Sequence, residues 1–469
     1  MPFCILTSVF CILNSKKYSK YIPANKKNTT FVGMKMLVLV DKITNRVHYA
    51  LDLVFSDMLG IGCEITDSVD TFKQSLLPKM HYGSAPIANE LFQKATDILF
   101  EHDINLQTLN TTRVGGELAF FPVYSQNSLL PFDVFAASFY VVSRYEEYLP
   151  FVPDRFGRFM PESSCLFEYN ILEKPIVDIW ANMLWVEISK RYPDLQHRRE
   201  FEFLPTYDID SAWAYNHKGL FRTIGGFGRD FLAHRKDSIH YRMQVLLGRE
   251  ADPFDSYNFQ FHLQNKYNLH PIYFILCGDY NPNDKSVSIR NTAFQNLIKY
   301  LGDYAEVGLH PSYTSYAEPE RLEKELQRLS SVLNREVTQS RFHFLHMGLP
   351  HSYQRLIELD ITDDYTMGYA SQPGFRAGTS RAFRFFDIEN DAPTNLTIHP
   401  FALMDGTLRD YLGMDAEQSL EKAKQIIDEV EKVNGTFCYL THNETLGGKG
   451  RWKGWPEMYE SMIQYIVSE

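Results

Sequence analysis

The chain has 469 residues, of which 44% are hydrophobic and 22% charged, and its net charge is −11 at pH 7. That length exceeds one ordinary core and predicts two or three domains. An acidic chain with no long basic block argues against nucleic acid or an anionic membrane as a partner.

The N-terminal run Phe3–Leu13 is apolar, but Lys16 and Lys17 follow it rather than precede it. That is the reverse of the charge order in a signal peptide, and the run is too short to span a bilayer. Residues 14–30 are polar and predict no structure, so the folded chain is expected to begin near Met34, with residues 1–33 disordered or an over-long gene start. No other stretch predicts a membrane span. The six cysteines, Cys4, Cys11, Cys63, Cys165, Cys277 and Cys438, are scattered without a Cys-x-x-Cys pair. They suggest neither a disulfide framework nor a thiolate zinc site, and point to a reducing compartment such as the cytoplasm.

Residues 34–199 read as a smaller α/β domain. Leu37–Val40 predicts a strand, and Tyr49–Leu59 has helical apolar spacing. Leu118–Val123 predicts a further strand, and Phe132–Leu149 a helix ending in Ser-Arg-Tyr-Glu-Glu-Tyr, where Arg144 and Glu147 can bridge along the helix. Asp178–Lys190 predicts another helix. Gly60-Ile61-Gly62 lacks the rest of a dinucleotide fingerprint. The charged segment Tyr192–Glu202 reads as a linker.

Residues 200–469 open with Thr206-Tyr207-Asp208-Ile209-Asp210 at the end of a strand. An insertion of about residues 213–270 follows, loop-like around Gly219–Gly228 and helical over Asp230–Gly248, placed to cover a substrate groove. Strands are then predicted at Pro271–Cys277, Ala305–Leu309, Ser340–Leu345, Asn395–His399 and Gly435–His442. Helices are predicted at Asn291–Leu301, Pro319–Leu333, Pro350–Leu359, Ala416–Val433 and Pro456–Val467. This alternation fits a (β/α) barrel-like domain, with a doubly wound open sheet as the alternative.

Chemistry-bearing residues recur at the strand ends, where α/β sites assemble. Asp208 and Asp210 lie two apart in an extended segment and so face one space. His310 and His442 each end an apolar strand. In Arg341-Phe342-His343-Phe344-Leu345 a period of two puts Arg341, His343 and Leu345 on one face, and His346 competes as a ligand only if the strand ends early. Arg376 lies in the loop Gly374-Phe375-Arg376-Ala377-Gly378, which can bring backbone close to a ligand. Singly, each of these has an ordinary structural reading. Together they form a set complete for metal-assisted hydrolysis: carboxylate and imidazole ligands for a divalent ion, most simply zinc, a carboxylate base, an arginine and a histidine acid.

In these motifs residues 201–469 resemble the polysaccharide deacetylases, the NodB-like carbohydrate esterases. The carrying motifs are Thr206-Tyr207-Asp208-Ile209-Asp210, Val307-Gly308-Leu309-His310, Gly374-Phe375-Arg376-Ala377-Gly378 and Leu440-Thr441-His442. The order of the set also resembles a divergent bacterial subgroup with an extra N-terminal α/β domain. The resemblance implies a distorted (β/α)7 barrel and removal of acetyl groups from a carbohydrate or surface-glycan precursor. It implies Asp208 as base, Asp210 and His310 as metal ligands, Arg376 as the group orienting Asp208, and His442 as acid. Where the family has its second ligand histidine, four residues past His310, this chain has Thr314, and His343 is the proposed replacement. Asp405 is either a partner in the site or a turn residue. Trp213, Tyr215, Trp452 and Trp455 are candidate sugar-stacking surfaces. A hydrolase of a linear amide on the same barrel, or an inactive glycan-binding protein, are the alternatives. Protein partners are left open by the sequence, and so is the N-terminal region's part in shaping the groove, in assembly or in contact with another enzyme.

Overall fold

The computed structural model describes residues 35–197 and 199–468, so the N-terminal stretch expected to lack structure, with Cys4 and Cys11, lies outside the described residues. The described chain is mixed α/β and forms one compact unit from Lys35 onward. The N-terminal region is a four-stranded parallel sheet of β1 (Lys35–Val40), β2 (Gly62–Thr66), β3 (Lys79–Gly83) and β4 (Leu91–Lys94), in the order β2-β1-β3-β4. Five of the six β1 residues are buried, as expected of an apolar run with neighbours on both edges. Helix Asn45–Asp52 follows β1, is capped by the Thr44 hydroxyl, and continues as a wider turn through Leu53–Met58. A hairpin joins β5 (Thr111–Val114) to β6 (Glu117–Phe120) through Gly115 and Gly116, both at positive φ, which the turn requires.

The expected helix over Phe132–Leu149 is shorter. It runs from Val134 to Val142, with Asp133 accepting at its N-terminus, and then breaks. Arg144 adopts φ 56° and the chain tightens into a 3₁₀ turn at Tyr145–Tyr148. The reason lies in the side chains. Arg144, buried, donates to both Glu146 (2.6 Å) and Glu147 (2.8 Å), and the kink brings both carboxylates to one guanidinium. Helix Ile176–Arg191 closes this region.

The second region is a nine-stranded sheet. Its strands are β7 (Glu202–Ile209), β8 (Ile272–Ile275), β9 (Glu306–Leu309), β10 (Gln339–Ser340), β11 (Asp363–Asp364), β12 (Phe383–Asp387), β13 (Ala392–Ile398), β14 (Leu403–Met404) and β15 (Thr436–His442). Their order is β12-β13-β11-β10-β9-β8-β7-β15-β14. All the pairings are parallel except the hairpin of β12 with β13. The two outer strands, β12 and β14, are not paired with each other, so no ladder closes a barrel among the described residues. The direction of winding changes at β7, with β8 on one side and β15 on the other, and in α/β sheets ligands bind outside the strand ends at such a point.

The insertion differs from the expected loop. Residues Leu220–Leu232 are helical despite three glycines, and pair with helix Lys236–Leu246. A Cβ on Gly226 would lie 2.4 Å from the Arg242 guanidinium. Glycine therefore lets Arg242 lie close against the first helix, where it reaches Asp230 at 2.7 Å.

The two regions share one apolar core, with Val141, Ile176 and Val177 in the same cluster as Phe375, Ala377 and Phe386. The Gly374–Gly378 loop is where they clasp. A Cβ on Gly374 would meet the Leu172 carbonyl at 2.4 Å, and one on Gly378 would meet Val141 at 2.5 Å. Phe375 donates to the Leu172 carbonyl, and Val177 to that of Gly378. The glycines thus admit the N-terminal region rather than a ligand. Among the described residues no helix is long and apolar enough to cross a membrane, and Cys63, Cys165, Cys277 and Cys438 are free thiols.

Glu147 is the centre of this junction, since it accepts from both Arg144 and Arg376 in the interior. Removing it as Glu147→Ala leaves two buried guanidinium groups short of a partner. A loss of about 3–5 kcal/mol in denaturant unfolding is expected, against less than about 0.5 kcal/mol for Glu187→Ala at the surface.

Candidate metal centre and catalytic cleft

The C-terminal strand ends set the site. In the β7–β15 ladder Asp208 lies opposite His442. In the neighbouring ladders Ile209 aligns with Ile275, Ile275 with Leu309, and Leu309 with Ser340. Asp210, His310 and Arg341 follow the strand ends of β7, β9 and β10, and this register brings them to one place.

Asp210, His310 and His343 each offer a ligand atom, and these atoms lie within 4.8 Å of one another. The His310 Nε2 is 3.2 Å from Asp210 Oδ1, and the His343 Nε2 is 3.4 Å from Asp210 Oδ2. Both imidazoles are oriented from behind. His310 Nδ1 donates to the Arg341 carbonyl, and His343 Nδ1 donates to Asp284 Oδ1 at 2.8 Å. That arrangement leaves each Nε2 lone pair facing the carboxylate, the tautomer a metal-binding histidine needs. Asp210 Oδ1 and His310 Nε2 are buried yet have no hydrogen-bond partner. Buried polar atoms are seldom left unsatisfied, so the pair of orphans fits a divalent cation between them. The cluster is thus able to hold such an ion.

The electrostatics point the same way. Burial opposes a charge on His343, but Asp210 and Asp284 override it and its pKa is pushed up to about 9. Burial would raise the Asp210 carboxyl, yet the imidazoles of His343 and His310 hold it well below the usual carboxylate range. Without a cation, a proton on His343 supplies positive charge beside Asp210.

His343 reaches this position by a route the periodicity does not describe. The expected strand through Leu345 stops at Ser340, and His343–Leu345 form a 3₁₀ turn with Phe344 at φ 60°. Thr366 accepts from the Phe342 N–H and the Pro311 carbonyl from the His343 N–H, which ends the ladder. His346 does not join the cluster although the strand ends early. It stacks on Tyr313 and Tyr316, with ring centroids 4.4 and 4.0 Å away. Thr314 bonds to the Ser312 hydroxyl.

Asp208 is buried and accepts from Arg341 Nη1 at 3.0 Å, while its Oδ2 lies 3.7 Å from His310 Nε2. Here the sequence expectation for Arg376 needs correction. Arg376 is spent on Glu147 and the Gly368 carbonyl, and its guanidinium serves the junction between regions. The arginine on Asp208 is Arg341, which also donates to the Thr206 hydroxyl and the Tyr365 carbonyl. Its place on the expected strand face shared with His343 was the available signal.

His442 lies beside this group, with Nε2 3.9 Å from Asp210 Oδ2. Its Nδ1 donates to Asp405 Oδ1 at 2.8 Å, and Asp405 Oδ2 accepts from Thr441, Thr445 and the His442 N–H. Asp405 is therefore a partner in the site rather than a turn residue. Burial disfavours the imidazolium, but Asp405 and Asp210 raise the His442 pKa well above its ordinary value. Sequence reasoning missed Asp284 altogether, because it stands in an irregular segment after β8 with no motif around it. Of the four candidate stacking residues, Tyr215 and Trp452 line the adjoining cleft, although Trp452 is largely buried there, and Trp213 and Trp455 are buried away from it.

Residues 36–193 match a family of unknown function, DUF7033. No curated protein matches the chain. Among solved structures, a protein assigned as a polysaccharide deacetylase from Mycobacterium smegmatis is similar at 12% identity and a TM-score of 0.39, over 58% of this chain and 87% of that one. Puue allantoinase is similar at 10% identity and a TM-score of 0.37, over 58% and 84%. BA3943, a CE4-family pseudoenzyme from Bacillus anthracis, is similar at 11% identity and a TM-score of 0.29, over 59% and 66%. Likeness at this level assigns neither substrate nor activity.

Two outcomes are expected. Metal analysis of the purified chain finds about one divalent ion, and His343→Ala or His310→Ala lowers the affinity at least about tenfold; unchanged metal content in His343→Ala removes it from the ligand set. In the metal-free protein the His343 pKa of about 9 exceeds its ordinary 6.5. The stability it contributes is fully present below pH 6.5 and lost as pH rises through 9. Thermal melts of metal-free protein across that window should fall, and His343→Gln should flatten the fall.

Proposed function

We propose that this chain is a metal-dependent hydrolase that removes acetyl groups from a carbohydrate or surface-glycan precursor, on a sheet arranged as a distorted (β/α)7 barrel. The observation that carries the reading is the convergence of a ligand set, Asp210, His310 and His343, with a buried carboxylate, Asp208, and a carboxylate-backed imidazole, His442. The motif resemblance of residues 201–469 supplies the substrate class. Zinc suits a site of one carboxylate and two imidazoles. Such an ion would polarise the acyl carbonyl and make a water more acidic.

The remaining chemistry belongs to side chains. Arg341 fixes one oxygen of Asp208 by a charge-assisted bond, so Oδ2 is the oxygen turned towards the ligand atoms. From there Asp208 takes the proton of the attacking water as general base. His442 enters the reaction protonated, because Asp405 holds its Nδ1 proton and raises its pKa. Its Nε2 proton passes to the departing amine or hydroxyl, which leaves as the free sugar with acetate as co-product. Arg376 acts at a distance, by fixing the loop packed on the N-terminal region. The free thiols suit a reducing bacterial cytoplasm.

The test is acetate release from a panel of N- and O-acetylated glycans by metal-loaded protein. Asp208→Asn is expected to keep its metal and lose about 10²–10⁴-fold in turnover. Wild type that carries metal but releases no acyl group from any member of the panel overturns this reading.

A further inference from the structure

The centre adjoins a cleft of about 990 Å³ lined by the helical hairpin, the segment after β8 and the loop after β15. Seven arginine and lysine side chains line it, against the carboxylates of Asp210 and Glu444. This excess of positive charge stands in a chain whose net charge is −11.

Part of it is neutralised within the fold. Arg242 is paired with Asp230 and Arg451 with Glu444, each at 2.7 Å. Arg229 lies 3.8 Å from Asp230. Lys218, Arg222, Lys285 and Lys449 form no ion pair among the described residues. Arg222 is nevertheless held in place. Its guanidinium donates to the carbonyls of Ser286 and Lys285 at 2.8 and 2.9 Å and lies over the Tyr280 ring at 4.3 Å. Lys218 is half-buried beside it. Burial and the Arg222 charge push its ammonium down to about 8, with Arg242 and Lys285 adding to the effect and Asp252 opposing it. Asp252 gives limited relief, because its oxygens already accept from the N–H groups of Ala214, Tyr215, Asn216 and Phe254. Lys218 and Arg222, half-buried side by side, repel one another until an anion joins them, and the exposed Lys285 and Lys449 add to the same field. Folding alone does not account for Lys218 and Arg222, since both are half-buried and neither closes an ion pair among the described residues.

We propose that the cleft binds a substrate carrying its own negative charge: an acylated sugar bearing a phosphate or carboxylate, held by Lys218, Arg222, Lys285 and Lys449 beside the Asp210–His310–His343 centre. The acyl part of this assignment rests on the hydrolase reading, and the anion part does not. Guanidinium and ammonium groups recognise either anion by charge-assisted hydrogen bonds.

Ligand-observed NMR titration of the full-length chain tests it with N-acetylglucosamine, N-acetylglucosamine 1-phosphate and N-acetylmuramic acid. The phosphorylated or the carboxylated sugar should bind at least about tenfold more tightly than the neutral one, as expected of a charge-assisted contact, and the advantage should shrink as salt rises. The ratio of the two charged sugars identifies the preferred anion. Lys218→Gln/Lys285→Gln should abolish the advantage while circular dichroism and metal content stay unchanged. If that pair misfolds, Lys449→Gln, in the loop after β15, should reduce the advantage alone. Equal affinity for charged and neutral sugars, including no binding of either, overturns the proposal, as does an advantage that survives in folded variants. Binding is read without turnover, so anion-selective binding without acyl release would sink the hydrolase reading and leave this one standing.

Discussion

Arg341 is the residue on which the site depends. Its guanidinium is fully buried and donates to Asp208, the Thr206 hydroxyl and the Tyr365 carbonyl, while its own carbonyl fixes His310 Nδ1. Its N–H closes onto Leu309, the last residue of β9. One residue therefore determines the direction of a carboxylate, the tautomer of an imidazole and the spacing of two strand ends. A guanidinium can be buried in this way only because every side of it is occupied. The Phe274 ring covers its face at 4.6 Å from the centroid.

The same rule of compensation recurs around the centre. His343 is backed by Asp284, and His442 by Asp405, each at 2.8 Å. Each backing carboxylate has further donors: Asn281 and the Tyr313 N–H for Asp284, and two threonine hydroxyls for Asp405. Polar networks of this kind stabilise a unique geometry when complete and destabilise it when broken. The two atoms without partners, Asp210 Oδ1 and His310 Nε2, stand out against so complete a network and mark where an exogenous cation fits.

The N-terminal region contributes by holding the sheet's surroundings in place. Its Glu147 receives Arg376 from the second region, and its Leu172 carbonyl is close enough to Gly374 that only glycine fits. The helical hairpin of the insertion uses Gly226 to bring Arg242 against Asp230, which shapes one wall of the cationic cleft. The candidate chemistry stands on strand ends, and the insertion lines the cleft beside it.

Much of this was legible in the chain. Apolar runs and helical spacing located most strands and helices to within a few residues, and Asp208, Asp210, His310 and His442 stood out as polar groups ending apolar strands. These are local properties, set by the periods of 2 and 3.6 residues and by the need to bury an apolar face. Partner choice is not local. Arg341 directly follows β10 and Arg376 lies in the loop between β11 and β12, and nothing in their neighbours says which one reaches Asp208. The Ser340–Leu309 pairing decides it, by carrying Arg341 beneath the site, while the clasp at Gly374 and Gly378 carries Arg376 to Glu147. Asp284 and His343 likewise meet across 59 residues of chain, through a strand cut short and a turn at Phe344 that no periodicity encodes. The sequence by itself determined which residues could bear charge at the ends of strands. Only the tertiary structure decided which opposite charge each would meet, because buried ions select their partners by distance in space and not along the chain.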